Sequence, residues 1–280
     1  MKPSPFEMHR PRTLEAALSL LAQHGDSATL IAGGQSLVPM MNLRMAAPAM
    51  LIDLNAVAGL SGIRHEGDAL HIGATTRQQS VLESDLVQRH VPLLAAAVRH
   101  VGHFSTRSRG TVGGSLAFAD PSSEIALASV LLGAELKVQS AAGARIVPAR
   151  EFFLDALTTA LEPGEILTEV ILPVAPAGTR VAFREHARRH GDFAIASAAV
   201  QLSSGDGPLL AGLGAVGPTP VVCGLIQDAF ARGDLLSDLD QLIQDELDAI
   251  DAVEDVHTSA DYRRKLAAVC LGDCIRELLA

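Results

Sequence analysis

Residues 29–38 read TLIAGGQSLV, and a related stretch, TVGGSLA, recurs at 111–117. In the first, an apolar run stops at Gly33 and Gly34 and gives way to Gln35, Ser36 and a second apolar run. A strand before such a pair and a helix after it bring several backbone N–H groups together with no side chain in front of them, an arrangement that suits an anion. Ser36 is placed to cap that helix. The second pair, Gly113 and Gly114, stands with the Thr111 and Ser115 hydroxyls before the carboxylates of Asp120 and Glu124. Two such turns can hold the two ends of one pyrophosphate, or each can be a tight turn without a ligand. Spacing alone leaves both readings open.

Outward from these turns, the chain alternates helix and strand signals. Thr13 is expected to cap a helix over 14–24, with Leu14, Ala17, Leu18 and Leu21 on one face and Gly25 as its stop. ATLIAG, AMLIDL and ALHIGAT read as short strands, LVPMMNLRM as a helix, and residues 84–99 as one further helix. Asp120–Pro121 marks a helix start, since Pro suits the first turn, and IALASVLLGA runs to a stop at Gly133. ELKVQS, ARIVPA and EILTEVILPV continue as strands. Pro and Gly cluster at 173–178 and mark a boundary. Beyond it, two strand-like stretches flank a charged loop, and residues 223–280 carry amphipathic helical spacing.

The 280 residues fit one or two domains, and 48% hydrophobic composition supplies a sizeable core. A formal net charge of −10 argues against a nucleic-acid partner or an anionic membrane surface. No stretch approaches the about 18 uncharged apolar residues of a spanning helix, and the N-terminal MKPSPFEMHRPRT lacks an apolar leader core, so a cytoplasmic location without membrane insertion is expected. Three cysteines, Cys223, Cys270 and Cys274, make neither a disulfide framework nor an iron–sulfur site and read as structural.

Other motifs are weaker. GLGAVG at 212–217 formally fits a dinucleotide fingerprint, but Pro218 and Pro220 deny it the helix that would hold a pyrophosphate, so it reads as a bent strand or turn. His186 and His190 in HARRH lack the glutamate of a zinc-hydrolase motif, and His100 and His103 read as helix-end residues. No metal site and no catalytic acid–base or nucleophilic set is expected in this chain.

Taken together, AGGQSL at 32–37, LIDL at 51–54, IGATT at 72–76, TVGGSLAFADPSSE at 111–124 and EILTEVILP at 165–173 resemble the FAD-binding medium subunit of the molybdenum hydroxylases, the family of xanthine dehydrogenase and carbon monoxide dehydrogenase. GDFAIASAAV at 191–200 and GAVGPTPV at 214–221 are similar to that family's C-terminal domain. The resemblance runs in order along nearly the whole chain. It implies an α+β protein: a vanillyl-alcohol-oxidase (PCMH) type FAD-binding domain over 1–176, split into α/β subdomains at about 1–57 and 58–176, and a small α+β C-terminal domain over 177–280. It also implies FAD on this chain, with a molybdopterin cofactor on a large partner and two [2Fe–2S] clusters on a small one, in a dimer of heterotrimers. The chain would then transfer electrons from the clusters to an external acceptor. A stand-alone FAD-dependent oxidase and a cofactor-free scaffold subunit are the alternatives.

Residue by residue, the resemblance assigns a first pyrophosphate turn to Ala32, Gly33, Gly34, Gln35, Ser36 and Leu37, and a second to Thr111, Gly113, Gly114 and Ser115. Glu124 matches a ribityl-contacting acid. Val101 matches a residue beside the adenine, and Ile166 and Leu167 match an apolar contact. Phe193 matches an aromatic position near the isoalloxazine, with Arg184 among the nearby cations.

Overall fold

The computed structural model describes residues 2–205, 207–256 and 258–280. Near the N-terminus, three short strands form a parallel sheet in the order Glu7–His9, Met50–Asp53, Ala28–Ile31. Parallel neighbours need crossover connections: the helix Leu37–Asn42 lies in the one from Ala28–Ile31 to Met50–Asp53, while Leu14–His24 joins the two outer strands. Its start follows from Thr13, whose hydroxyl accepts the N–H of Ala16 at 3.2 Å, and its end from Gly25 at φ +48°. Ala17, Leu18 and Leu21 bury against Ile52, Leu54, Val57, Leu60 and Ile166.

A second sheet is antiparallel, in the order Ile63–Glu66, Ala69–Gly73, Ile166–Pro173, Glu135–Ser140, Gly143–Pro148. Alternate residues of these strands, Leu70, Ile72, Leu136, Val138, Val170 and Leu172, face a core shared with the helices Pro92–Val98 and Glu124–Leu131. The central strand, Ile166–Pro173, serves both cores: Ile166 packs in the first and Leu167 in the second, with a register shift just beyond them. It ties the two layers together.

The third sheet is an antiparallel meander of Arg180–Ala187, Ala194–Leu202, Leu209–Gly214 and Val221–Val222. The helices Gly224–Arg232, Leu239–Asp248 and Ala260–Leu279 build a separate core with it. Cys223, Cys270 and Cys274 are buried there, and the last two reach the carbonyls of Ala196 and Ala198 at 4.0 and 3.7 Å. They fill space, as expected.

Four local expectations change. Residues 84–99 are two helices, Asp85–His90 and Pro92–Val98, because Pro92 has no N–H to continue the first. TVGGSLA is the helix Val112–Phe118. The next helix begins at Glu124 under a Ser123 cap, while Asp120 Oδ1 accepts from the N–H and Oγ of Ser122 at 2.9 and 2.6 Å and so shapes the preceding turn. Ser36 occupies the cap position of the helix Leu37–Asn42 but makes no capping bond. GLGAVG, in contrast, is a strand end followed by a bend at Ala215, φ +61°, whose N–H reaches the carbonyl of Pro121 at 2.9 Å.

Candidate functional site: a cleft at the first glycine pair

Gly33 is bare because another part of the chain occupies the space of its side chain. A Cβ there would lie 2.5 Å from the Arg109 carbonyl oxygen and 2.8 Å from Gly110 Cα. Gly34 has φ +70°, a left-handed conformation that other residues adopt at a cost. Past this turn the helix closes its first bonds, Val38 N–H to Gly34 O at 3.0 Å and Met40 N–H to Ser36 O at 3.2 Å. The N–H groups of Gly33, Gly34, Gln35 and Ser36 find no protein acceptor among the described residues. Four consecutive orphan donors at a surface turn constitute a demand for an acceptor, which water or an anion can meet.

Gly33, Gly34 and Gln35 line a cleft of about 380 Å³ together with Met8, Arg10, Val38, Asn55 and Arg109. Two of its walls are cationic. Asp53 is the acidic member, and its Oδ2 faces Arg10 Nε at 3.4 Å. Asn55 holds the turn in place by donating Nδ2–H to the carbonyl of Ala32 at 2.8 Å, and its Oδ1 accepts from Arg77 at 2.6 Å. A second guanidinium nitrogen of Arg77 donates to the carbonyl of Arg109. The first turn and the segment before Thr111 are thus joined by direct contact and by one hydrogen-bonded chain.

The second glycine pair is spent internally. Val112 N–H reaches Thr76 O at 3.1 Å, Gly113 N–H reaches Ala74 O at 2.8 Å, and Gly114 N–H reaches Thr111 Oγ1 at 3.2 Å. Gly113 is needed for packing, since a Cβ would sit 2.5 Å from Ala74 Cβ. Gly114 is close to its own cap, with Thr111 Oγ1 2.6 Å from a Cβ position. Ser115 Oγ accepts from Gln78 Nε2 at 2.8 Å. The expected second turn is therefore a short helix whose first amides are already bonded, and what it offers a ligand is side chains and surface.

Further along, Glu124 opens its helix at 8% exposure, and burial, helped by the charges of Glu185 and Asp120, pushes its carboxyl up to about 8. It carries a proton at neutral pH and can donate a hydrogen bond. Glu185 Oε1 stands 3.5 Å from His100 Nδ1, and the His100 ring tilts against Phe183 at 5.0 Å. Val101 is half-buried against the central core. Ile166 and Leu167 are 1% and 5% exposed, their side chains committed to the two cores. Phe193 is 74% exposed at the end of a loop whose His190 stacks on His103 at 5.5 Å.

Arg184 lies on the strand Arg180–Ala187. Strand residues alternate faces, and Phe183 and Glu185 point toward the central core and His100. Arg184 points the other way, paired with Glu277 on the C-terminal helix. Sequence reasoning missed Arg10, Asn55, Arg77 and Arg109. Asn55 directly follows the LIDL strand, but no spacing rule links positions 55, 77 and 109 before the chain is folded.

Among the described residues no helix is long and apolar enough to cross a membrane, and no group of three or more His, Cys, Asp or Glu could hold a metal. A left-handed glycine turn with open donors follows the edge strand Ala28–Ile31 of the small parallel sheet, in a chain of mixed helices and strands. By comparison, residues 4–175 match the family described as "FAD binding domain in molybdopterin dehydrogenase", and residues 181–278 match "CO dehydrogenase flavoprotein C-terminal domain". The chain belongs to the family of FAD-binding medium subunits of the molybdenum hydroxylases, and is the FAD subunit of a molybdenum-dependent oxidoreductase.

Among its relatives is the 6-hydroxypseudooxynicotine dehydrogenase complex subunit alpha of Paenarthrobacter nicotinovorans, 37% identical over 95% of this chain and 92% of that one. The carbon monoxide dehydrogenase medium chain of Afipia carboxidovorans is 36% identical over 97% and 96%. The solved structure of reconstituted CO dehydrogenase from Oligotropha carboxidovorans superimposes with a TM-score of 0.94 at 35% identity, covering 99% of this chain and 98% of that one.

Proposed function

We propose that the chain carries FAD as the electron-transfer subunit of a heteromeric molybdenum hydroxylase, taking electrons from [2Fe–2S] clusters of a small subunit and passing them to an external acceptor. A large subunit carries the molybdopterin cofactor, the assembly is a dimer of heterotrimers, and it works in the cytoplasm. The observation that carries this reading is the run of orphan N–H groups at Gly33–Ser36, whose first three residues line a cleft with Arg10 and Arg109. Bound FAD supplies exchange of one or two electrons, and the protein supplies position and electrostatics.

The donors and the two guanidinium groups offset the charge of the diphosphate. Glu124 donates a hydrogen bond to a hydroxyl of the ribityl chain. Phe193 offers an aromatic face for the ring system, and Val101 an apolar wall. Thr111, Ser115 and the small Gly114 bound the opposite side. Because Ile166 and Leu167 bury their side chains in the cores and Arg184 faces away, we assign these three to the scaffold. We set the boundary of the FAD-binding domain at 176, with subdomains meeting near residue 57 and the C-terminal domain over 177–280.

The test is purification of the chain with its co-encoded subunits, followed by absorbance after unbound flavin is removed. One FAD per chain, reduced when the complex receives its reducing substrate and reoxidised by an acceptor, is expected. A folded complex without flavin absorbance rejects the reading. An isolated chain that turns over substrate without partners would favour the stand-alone oxidase instead.

A further inference from the structure

Arg77 lies between two clefts. It lines a polar one of about 410 Å³, with Ser61, Thr75, Thr76, Ser80 and Ser84, and it touches the diphosphate cleft through Asn55, which lines both. Its bonds to Asn55 Oδ1 and to the Arg109 carbonyl reach the two segments that close on each other at Gly33. Asn55 carries the link onward to the Ala32 carbonyl at 2.8 Å. Among the described residues Arg77 has no carboxylate within ion-pair distance. Partial burial and the neighbouring charge of Arg109 both disfavour its cation, with Asp53 offering a weaker counterweight. A cation held there without its own counter-ion stabilises an anion in the adjoining cleft.

We propose that Arg77 is a positioning residue for the diphosphate site: through Asn55 it fixes the turn at Ala32–Ser36, and through the Arg109 carbonyl it holds the opposing segment against Gly33. The inference rests on the FAD reading of this cleft. A planar guanidinium can serve two acceptors at a fixed angle, whereas a lysine ammonium is a point charge on a flexible stem. Guanidinium geometry as well as charge is therefore required.

The experiment uses the deflavinated full-length chain, titrated with FAD, ADP and riboflavin. Arg77→Met and Asn55→Ala are each expected to weaken FAD and ADP binding tenfold or more and to leave riboflavin, which has no diphosphate, within twofold of the parent. Arg77→Lys should behave like Arg77→Met. Because the two residues act through one chain of bonds, the double variant should be within twofold of the weaker single variant. Should Arg77→Met fail to fold, Asn55→Ala carries the same test. FAD affinity within twofold of parent in both single variants, additive effects in the double variant, equal losses for riboflavin, or full rescue by Lys each overturn the proposal. A parent chain that binds neither FAD nor ADP overturns the FAD reading itself, and this inference with it.

Discussion

The two glycine pairs look alike in sequence and do opposite things. Around Gly33 and Gly34 the backbone is neither strand nor helix, and four donors are left open; around Gly113 and Gly114 it is helical, and Val112, Gly113 and Gly114 all donate to protein oxygens. Both first members are bare because backbone or a Cβ from elsewhere presses on them, Arg109–Gly110 in one case and Ala74 in the other. A glycine pair thus reports close approach, and whether it also binds an anion depends on where its N–H groups are spent.

The sharpest break in that comparison is at Gly113. Adding a methyl 2.5 Å from Ala74 Cβ and 2.8 Å from the Ala74 carbonyl leaves rigid neighbours on every side. Gly113→Ala should cost about 3 kcal/mol or more through overpacking, read as a fall in Tm, with insoluble expression at the extreme. Gly33→Ala meets the Arg109 carbonyl at the same distance, but on a surface cleft whose two lips can part. It should cost roughly 1–3 kcal/mol of stability and lose most bound flavin after desalting. A Gly113→Ala chain as stable as the parent would show that the helix does not pack as described.

Glu124 tests the second region by pH. Its folded pKa of about 8 lies above the ordinary carboxylate value, so the folded state holds this proton more tightly than the unfolded chain. Stability from this group is fully present below the unfolded value near 4.5, declines as pH rises, and is lost above about 8. Glu124→Gln should flatten the Tm profile between those limits and raise the unfolding free energy at pH 8.5 by an amount on the order of a few kcal/mol, seen as a higher Tm. An unchanged slope across that window would mean that the carboxyl is not buried as observed.

Gly34→Ala should weaken the first region less than Gly33→Ala. The left-handed φ costs an alanine roughly 1–2 kcal/mol, and its nearest neighbour is a side-chain methyl, Val38 Cγ2 at 3.1 Å, rather than backbone at 2.5 Å. FAD affinity should fall along with stability, because relaxing φ turns the Gly34 and Gln35 donors away from one another. If FAD affinity stays at the parent value while Tm drops, the donors do not hold the diphosphate.

Much of this was legible from local rules: the Thr13 cap, the Gly25 stop, the alternation in EILTEVILP and the prolines that disqualify GLGAVG all act within a few residues. The Val112–Phe118 helix was not, because two adjacent glycines cost about 1 kcal/mol each in a helix and read as a turn. The bonds to Ala74 and Thr76 that overrule that propensity come from residues nearly forty positions away. Likewise, the resemblance sets Arg184 among the cations of the loop before Phe193, and the strand period turns its side chain toward Glu277. The polar chain through Asn55, Arg77 and Arg109 exists only once three separate segments meet.

The smallest expected effect separates the two regions most cleanly. Thr111 is 2% exposed, and its hydroxyl caps the helix by accepting from Gly114 N–H at 3.2 Å. Thr111→Ala removes that acceptor and should cost about 1 kcal/mol, as lost caps do. The Gly114 N–H would then be freed. If the second pair is structural, the Tm loss will be the same in apo and FAD-loaded protein, and FAD affinity will stay within about threefold, since 1.4 kcal/mol is needed for tenfold. If Thr111 instead bonds the cofactor directly, the loaded protein will lose more Tm than the apo protein, and the two glycine pairs will have to be regarded as two halves of one anion clamp after all.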